Sequence, residues 1–120
     1  MEESAMANPF VWFDLRTKDA AKSRSFYEQL FGWDVAEVPV GGANVTMVGG
    51  EKPWASVVPH GGEHAGWFPY VQVDDLDAAT KKAKKLGATV LQAPAEGPAG
   101  TYTPIREPGG AVFALFQPRA

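Results

Sequence analysis

The chain has 120 residues, 45% apolar and 21% charged, the balance of an ordinary soluble globular protein, and this length suits a single domain over residues 1–120. A net charge of −3, from 11 basic and 14 acidic side chains, gives no electrostatic reason to expect nucleic acid or an anionic membrane as partner. With no cysteine, disulfides, thiolate metal sites and cysteine nucleophiles are excluded, which fits a cytoplasmic protein; no apolar run approaches the roughly 20 residues of a membrane span.

The first predicted element is a strand over Phe10–Arg16. Val11, Phe13 and Leu15 alternate with Phe10, Trp12, Asp14 and Arg16, the period of two that a half-buried strand requires. Thr17 or Asp19 is placed to cap a helix. Ser23, Phe26, Tyr27 and Leu30 follow helical spacing, and Gly32 closes the helix. This helix is expected to lay Phe26 and Leu30 on the Val11, Phe13 and Leu15 face. Strands are then expected over Trp33–Val40, Ala43–Val48 and Trp54–Val58, separated by glycine or proline as in an antiparallel meander.

After the glycine-rich stretch HGGEHAG (60–66), Phe68–Val73 repeats the first strand. Pro69, Val71 and Val73 face one way; Phe68, Tyr70 and Gln72 face the other. Asp74 or Asp75 caps a second helix with the apolar stripe Leu76, Ala79, Ala83 and Leu86. Lys81, Lys82, Lys84 and Lys85 form its solvated side and suit its C-terminal dipole. Ala88–Gln92 is a strand, Ala93–Gly100 a loop, and Thr101–Arg106 and Ala111–Phe116 are the last strands, joined by the turn Glu107–Gly110.

The same order of elements thus occurs twice. The interval from Trp12 to Phe68 is 56 residues, and so is that from Asp19 to Asp75, which suggests an internal duplication. The expected fold class is α+β: two βαβββ modules, about 8–59 and 67–118, joined by a linker at 60–66. Each antiparallel sheet is covered by its helix on one face. The other face carries aromatics and curls to form a cleft.

Four stretches carry a family resemblance: the Phe26-Tyr27 to Leu30-Phe31-Gly32-Trp33 run, Val73-Asp74-Asp75-Leu76-Asp77-Ala78, Leu86–Val90, and the closing run Glu107–Pro118. In this order and spacing the chain resembles the vicinal oxygen chelate superfamily, which includes glyoxalase I, bleomycin resistance proteins and extradiol dioxygenases. The resemblance covers about Phe10–Pro118. It implies a curved mixed sheet with a cupped cleft, usually completed in a homodimer. Metal-dependent members place ligands at positions that align here with Trp12, Phe68, Ala114 and the Trp54–Val57 stretch, where Ser56 alone offers an oxygen. Indole, phenyl and methyl groups do not ligate a divalent cation. The resemblance therefore implies a relative without the usual metal and with no cofactor.

Trp12, Asp14, Trp54, Phe68, Tyr70, Tyr102, Ala114 and Phe116 are the expected ligand-binding residues. Aromatic walls suit a small, partly aromatic molecule, but the same rings can fill the cleft themselves. Asp14 is the candidate acid or base, and with Arg16 it can orient a polar ligand; the structural alternative is an internal ion pair. His60 and His64 have metal-binding spacing only if helical, and their glycine-rich setting argues for a loop. The leading function is metal-free binding or sequestration of a small molecule. The alternative is a lyase, isomerase or hydroxylase/dioxygenase relative acting through Asp14 or a displaced metal. Glu96–Gly100 is a candidate lid or an ordinary connection.

Overall fold

The computed structural model describes residues 8–60 and 65–119; His64, part of the expected linker and the first seven residues lie outside the described residues. Strand β1 (Phe10–Thr17) forms where β-branched and aromatic residues alternate. Asp19 follows in an extended conformation (φ −135°, ψ 90°), and its carboxylate accepts from the Lys22 N–H at 3.1 Å. This satisfies one of the donors that the first turn of α1 (Ala20–Phe31) leaves open. Gly32, at φ 71°, ends the helix, its N–H donating to the Glu28 carbonyl at 2.9 Å.

Strands β2 (Val35–Val40), β3 (Ala43–Val48) and β4 (Ala55–Pro59) make the expected antiparallel meander, with Val38 opposite Val45 and Met47 opposite Ser56. β1 pairs with β4 in parallel, Phe13 beside Ala55 and Leu15 beside Val57. This parallel pair beside the antiparallel meander makes the sheet mixed, as the family resemblance implies. A helix and two strands lie between β1 and β4, a connection long enough for a parallel return.

Leu15, Val35, Val48, Ala55 and Val57 form the core beneath α1, with Phe13, Ala20, Tyr27 and Trp33 packed against it. Phe26 and Leu30, expected on this face, are instead 56% and 57% exposed. The helix is rotated by one position, about 100° on a helical wheel, and presents Ala20 and Tyr27. Tyr27 gains a stacking partner there: its ring lies 5.1 Å from Trp33, with 5° between the planes.

The second set begins with β5 (Gly66–Gln72) and Asp75, extended like Asp19 (φ −135°, ψ 102°). Asp75 accepts from the Ala78 N–H at 3.0 Å and caps α2 (Leu76–Lys85). β6 (Thr89–Val90), β7 (Ala95–Glu96) and β9 (Val112–Pro118) all pair antiparallel with β8 (Gly100–Arg106). β9 also lies parallel to β5, Tyr70 beside Ala114. β7 is an addition to the expected order. Part of the predicted loop turns back on β8 through Gly97 N–H donating to the Gly100 carbonyl at 2.8 Å. A Cβ on Gly100 would overlap the Gln117 carbonyl of β9, so a side chain there would push the strands apart.

Val73, Leu76, Ile105 and Leu115 are buried under α2 with Ala79, Ala83 and Phe113 around them. Leu86, expected in the apolar stripe, is 68% exposed because the helix ends at Lys85 and Leu86 is its C-cap. The fold is α+β, built from two βαβββ modules with mixed strand pairing, the second carrying β7 as an extra short strand. The chain divides into two compact units: Trp12–Phe68, and the residues up to Val11 with those from Pro69 onward. In the latter, Asn8 Nδ2 donates to the Gln72 carbonyl at 3.0 Å, and the Gln72 N–H donates to the Pro9 carbonyl at 2.9 Å. Among the described residues no helix is long and apolar enough to cross a membrane.

Candidate functional site

Phe13 and Leu15 of β1 face α1, so the period of two turns Trp12, Asp14 and Arg16 to the helix-free face of the first unit. Ser56 of β4 lies in parallel register with Asp14 and shares that face. The Trp12 Nε1–H donates to Ser56 Oγ at 2.9 Å. Ser56 is only 6% exposed, so this bond orients the indole in a partly dry setting, where a hydrogen bond is stronger than in water. Phe68, 4% exposed, lies under Arg16, whose guanidinium carbon is 3.7 Å from the ring centre. The Arg16 guanidinium thus rests on an aromatic face, while ion pairs form elsewhere at Arg24–Glu28, Arg24–Glu37, Lys81–Asp77 and Arg119–Glu96.

In the second unit, Ile105, Phe113 and Leu115 take the helix side, which leaves Tyr70, Tyr102, Ala114 and Phe116 on the opposite face. The registers agree: Tyr70 is beside Ala114, and Tyr102 is opposite Phe116. Ala114 is fully buried. The Tyr70 ring meets Tyr102 at 5.7 Å and Phe116 at 6.3 Å, both near edge-on, the arrangement that ring quadrupoles favour.

Trp54 does not join Trp12. It belongs to a cluster on the helix side of the first unit, where Phe13, Tyr27, Phe31, Trp33, Trp54 and Trp67 line a cavity of about 370 Å³. Trp33 and Trp54 meet edge-on at 4.9 Å, and Trp67 Nε1–H donates to the Tyr27 hydroxyl at 3.2 Å. Gly49 admits Trp54: at φ 119° a Cβ there would approach Trp54 Cδ1 to 2.7 Å. In sequence Trp33 and Trp54 are expected only as the first residues of separate strands. What gathers them is the pairing of Gly49 N–H with the Asp34 carbonyl and of Trp54 N–H with the Val48 carbonyl, both 2.9 Å. A groove of about 670 Å³ in the second unit runs beside the first turn of α2. It is lined in part by Asp75, Thr80, Gln117 and the buried Thr103, whose hydroxyl has no partner among the described residues.

The residues that the resemblance aligns with the family's metal positions do not fit a divalent cation. Trp12 presents an indole whose N–H is already committed to Ser56, Phe68 carries a guanidinium cation over its face, and Ala114 has only a methyl group. The Arg16 charge beside that position repels a metal ion as well. Among the described residues no group of three His, Cys, Asp or Glu side chains converges. His60 lies just past β4, its backbone N–H donating to the Thr17 carbonyl at 2.8 Å. Glu96–Gly100 forms the β7–β8 turn.

The comparisons agree with this geometry at the level of fold. A solved structure of a Streptomyces coelicolor methylmalonyl-CoA epimerase superposes with a TM-score of 0.66 at 16% identity, covering 95% of this chain and 99% of that one. A glyoxalase/bleomycin resistance protein/dioxygenase superfamily member from Vibrio splendidus gives 0.64 at 17%, covering 90% and 97%. In sequence, CFP32 of Mycobacterium tuberculosis is 36% identical over 115 residues, 88% of this chain and 44% of that protein. The anthracycline biosynthesis protein DnrV of Streptomyces peucetius is 32% identical over 126 residues, 89% of this chain and 46% of that protein. The chain spans about half the length of these curated relatives. Residues 10–115 match the family described as the Glyoxalase/Bleomycin resistance protein/Dioxygenase superfamily, and the chain belongs to it.

Proposed function

We propose that this protein binds a small, partly aromatic molecule on its helix-free surface without a resident metal, in a sequestering role, as a cytoplasmic homodimer. The observation that carries the reading is the Trp12 indole, held by Ser56 at a position that the resemblance aligns with a metal ligand of metal-dependent relatives. Sequestration needs shape, apolar area and a few polar groups, and no reactive group. A relative named for anthracycline biosynthesis suits a planar aromatic ligand. The exposed Phe26, Leu30 and Phe31 of α1 suit a second copy as partner. A second reading, an enzyme using Asp14 as acid or base, draws on the placement of Asp14 in register with Ser56.

The test is a scan of planar aromatic compounds read by tryptophan fluorescence and thermal shift, with metal analysis of the same preparation. A ligand is expected to quench wild-type emission, and Trp12→Ala should bind it about tenfold more weakly. No quenching and no thermal shift across the set would sink the binding reading. A stoichiometric divalent ion would sink metal independence.

A further inference from the structure

We propose that Arg16 is the anchor for an anionic group, so that the ligand is an aromatic carboxylate carrying a hydroxyl. This rests on the binding reading above and names its ligand class. Arg16 lies near the end of β1 on the face of Trp12 and Asp14. Its guanidinium carbon sits 3.7 Å from the centre of the buried Phe68 ring. A guanidinium held over a ring keeps its charge, loses little further freedom on binding, and directs its N–H donors outward in its own plane. Arg16 is a partly buried, prepositioned fork of donors, the geometry that matches a carboxylate in two parallel hydrogen bonds.

Ser56 adds to this. Its oxygen accepts from Trp12, and its own hydroxyl proton has no acceptor among the described residues. Trp12 has committed its only donor and offers a ring face. The face therefore presents donors at Arg16 and Ser56 and a π surface at Trp12. Asp14 sets the opposing constraint. Its carboxylate repels an anion at its own position but accepts a hydroxyl proton, and a carboxylate has about four acceptor sites, enough to add one to those in use. Asp14 and Arg16 are two residues apart and so lie on the same face of β1, where one ligand can meet both.

The experiment is calorimetric titration of the intact protein with 4-hydroxybenzoate, 6-hydroxy-2-naphthoate and the neutral 4-hydroxybenzyl alcohol, in low and high salt. Wild type should bind the carboxylates about tenfold or more tightly than the alcohol, and salt should weaken only the carboxylates. Arg16→Met, which keeps a stem over Phe68, should lose that preference and bind the alcohol within about twofold of wild type. Arg16→Lys, which keeps the charge but not the fork, should fall between them. Thermal melts confirm that each variant is folded. Equal affinity for carboxylate and alcohol in wild type, or an unchanged preference in Arg16→Met, overturns the anchor while leaving aromatic binding intact. No binding of the three probes overturns the anchor. It overturns the binding reading too only if the broader compound scan is also silent.

Discussion

Trp12 and Ser56 are 44 positions apart in sequence and 2.9 Å apart in the fold. The side of β1 that Trp12 takes was legible, because Phe13 and Leu15 had to be buried and a strand alternates. Its partner was not, because the parallel register of β1 with β4 sets it, and no local pattern encodes that register. The bond has a measurable value. Trp12→Phe keeps the ring and removes the N–H, and should cost about 1 kcal/mol, a fall in Tm of about 4 °C in thermal denaturation. Ser56→Ala should cost a similar amount, and the double variant less than the two together, because both single changes break one interaction. Additive losses would show that the hydrogen bond contributes nothing. Arg16 was likewise visible as a charge on the open face, whereas its seat on Phe68 depends on where β5 brings that ring.

At the scale of the element, α1 shows where periodicity stops being decisive. Its start and end were readable from chemistry: Asp19 accepts from a first-turn N–H, and Gly32 adopts the left-handed conformation that closes it. Its phase was not, since Phe26 and Tyr27 are both aromatic neighbours and either could face the sheet. The Tyr27–Trp33 stack decides for Tyr27, and Trp33 lies outside the helix. In urea unfolding, Tyr27→Ala should cost about 3 kcal/mol, as removal of a large packed ring does. Phe26→Ser should cost under about 1 kcal/mol, since Phe26 is mostly exposed and meets Tyr27 edge-on. The reverse order would place the helix in the phase expected from sequence. α2 was easier because its buried face offers only Leu76, Ala79 and Ala83 against a run of lysines. Leu86 misled because a helix loses its spacing rule at its C-cap.

For the whole molecule, the proposed homodimer predicts a particle of twice the chain mass in sedimentation equilibrium at micromolar concentration, and a monomer under those conditions would remove it. The doubled strand–helix order, apart from β7, was readable in sequence: the 56-residue interval that relates Asp19 to Asp75 relates two helix caps of the same geometry. The resemblance aligns the family's metal positions with Trp12, Phe68 and Ala114, and that an indole, a phenyl and a methyl group are poor cation ligands is readable from sequence, because ligand chemistry belongs to the residue itself. Only tertiary structure decided the register in which β1 meets β4 and β5 meets β9, that Trp54 leaves the open face for the rings beneath α1, and that Arg16 rests on Phe68. Alternation and capping depend on neighbours a few positions away and are written locally. Register, ring stacking and ion pairing depend on groups that only folding brings within a few ångströms.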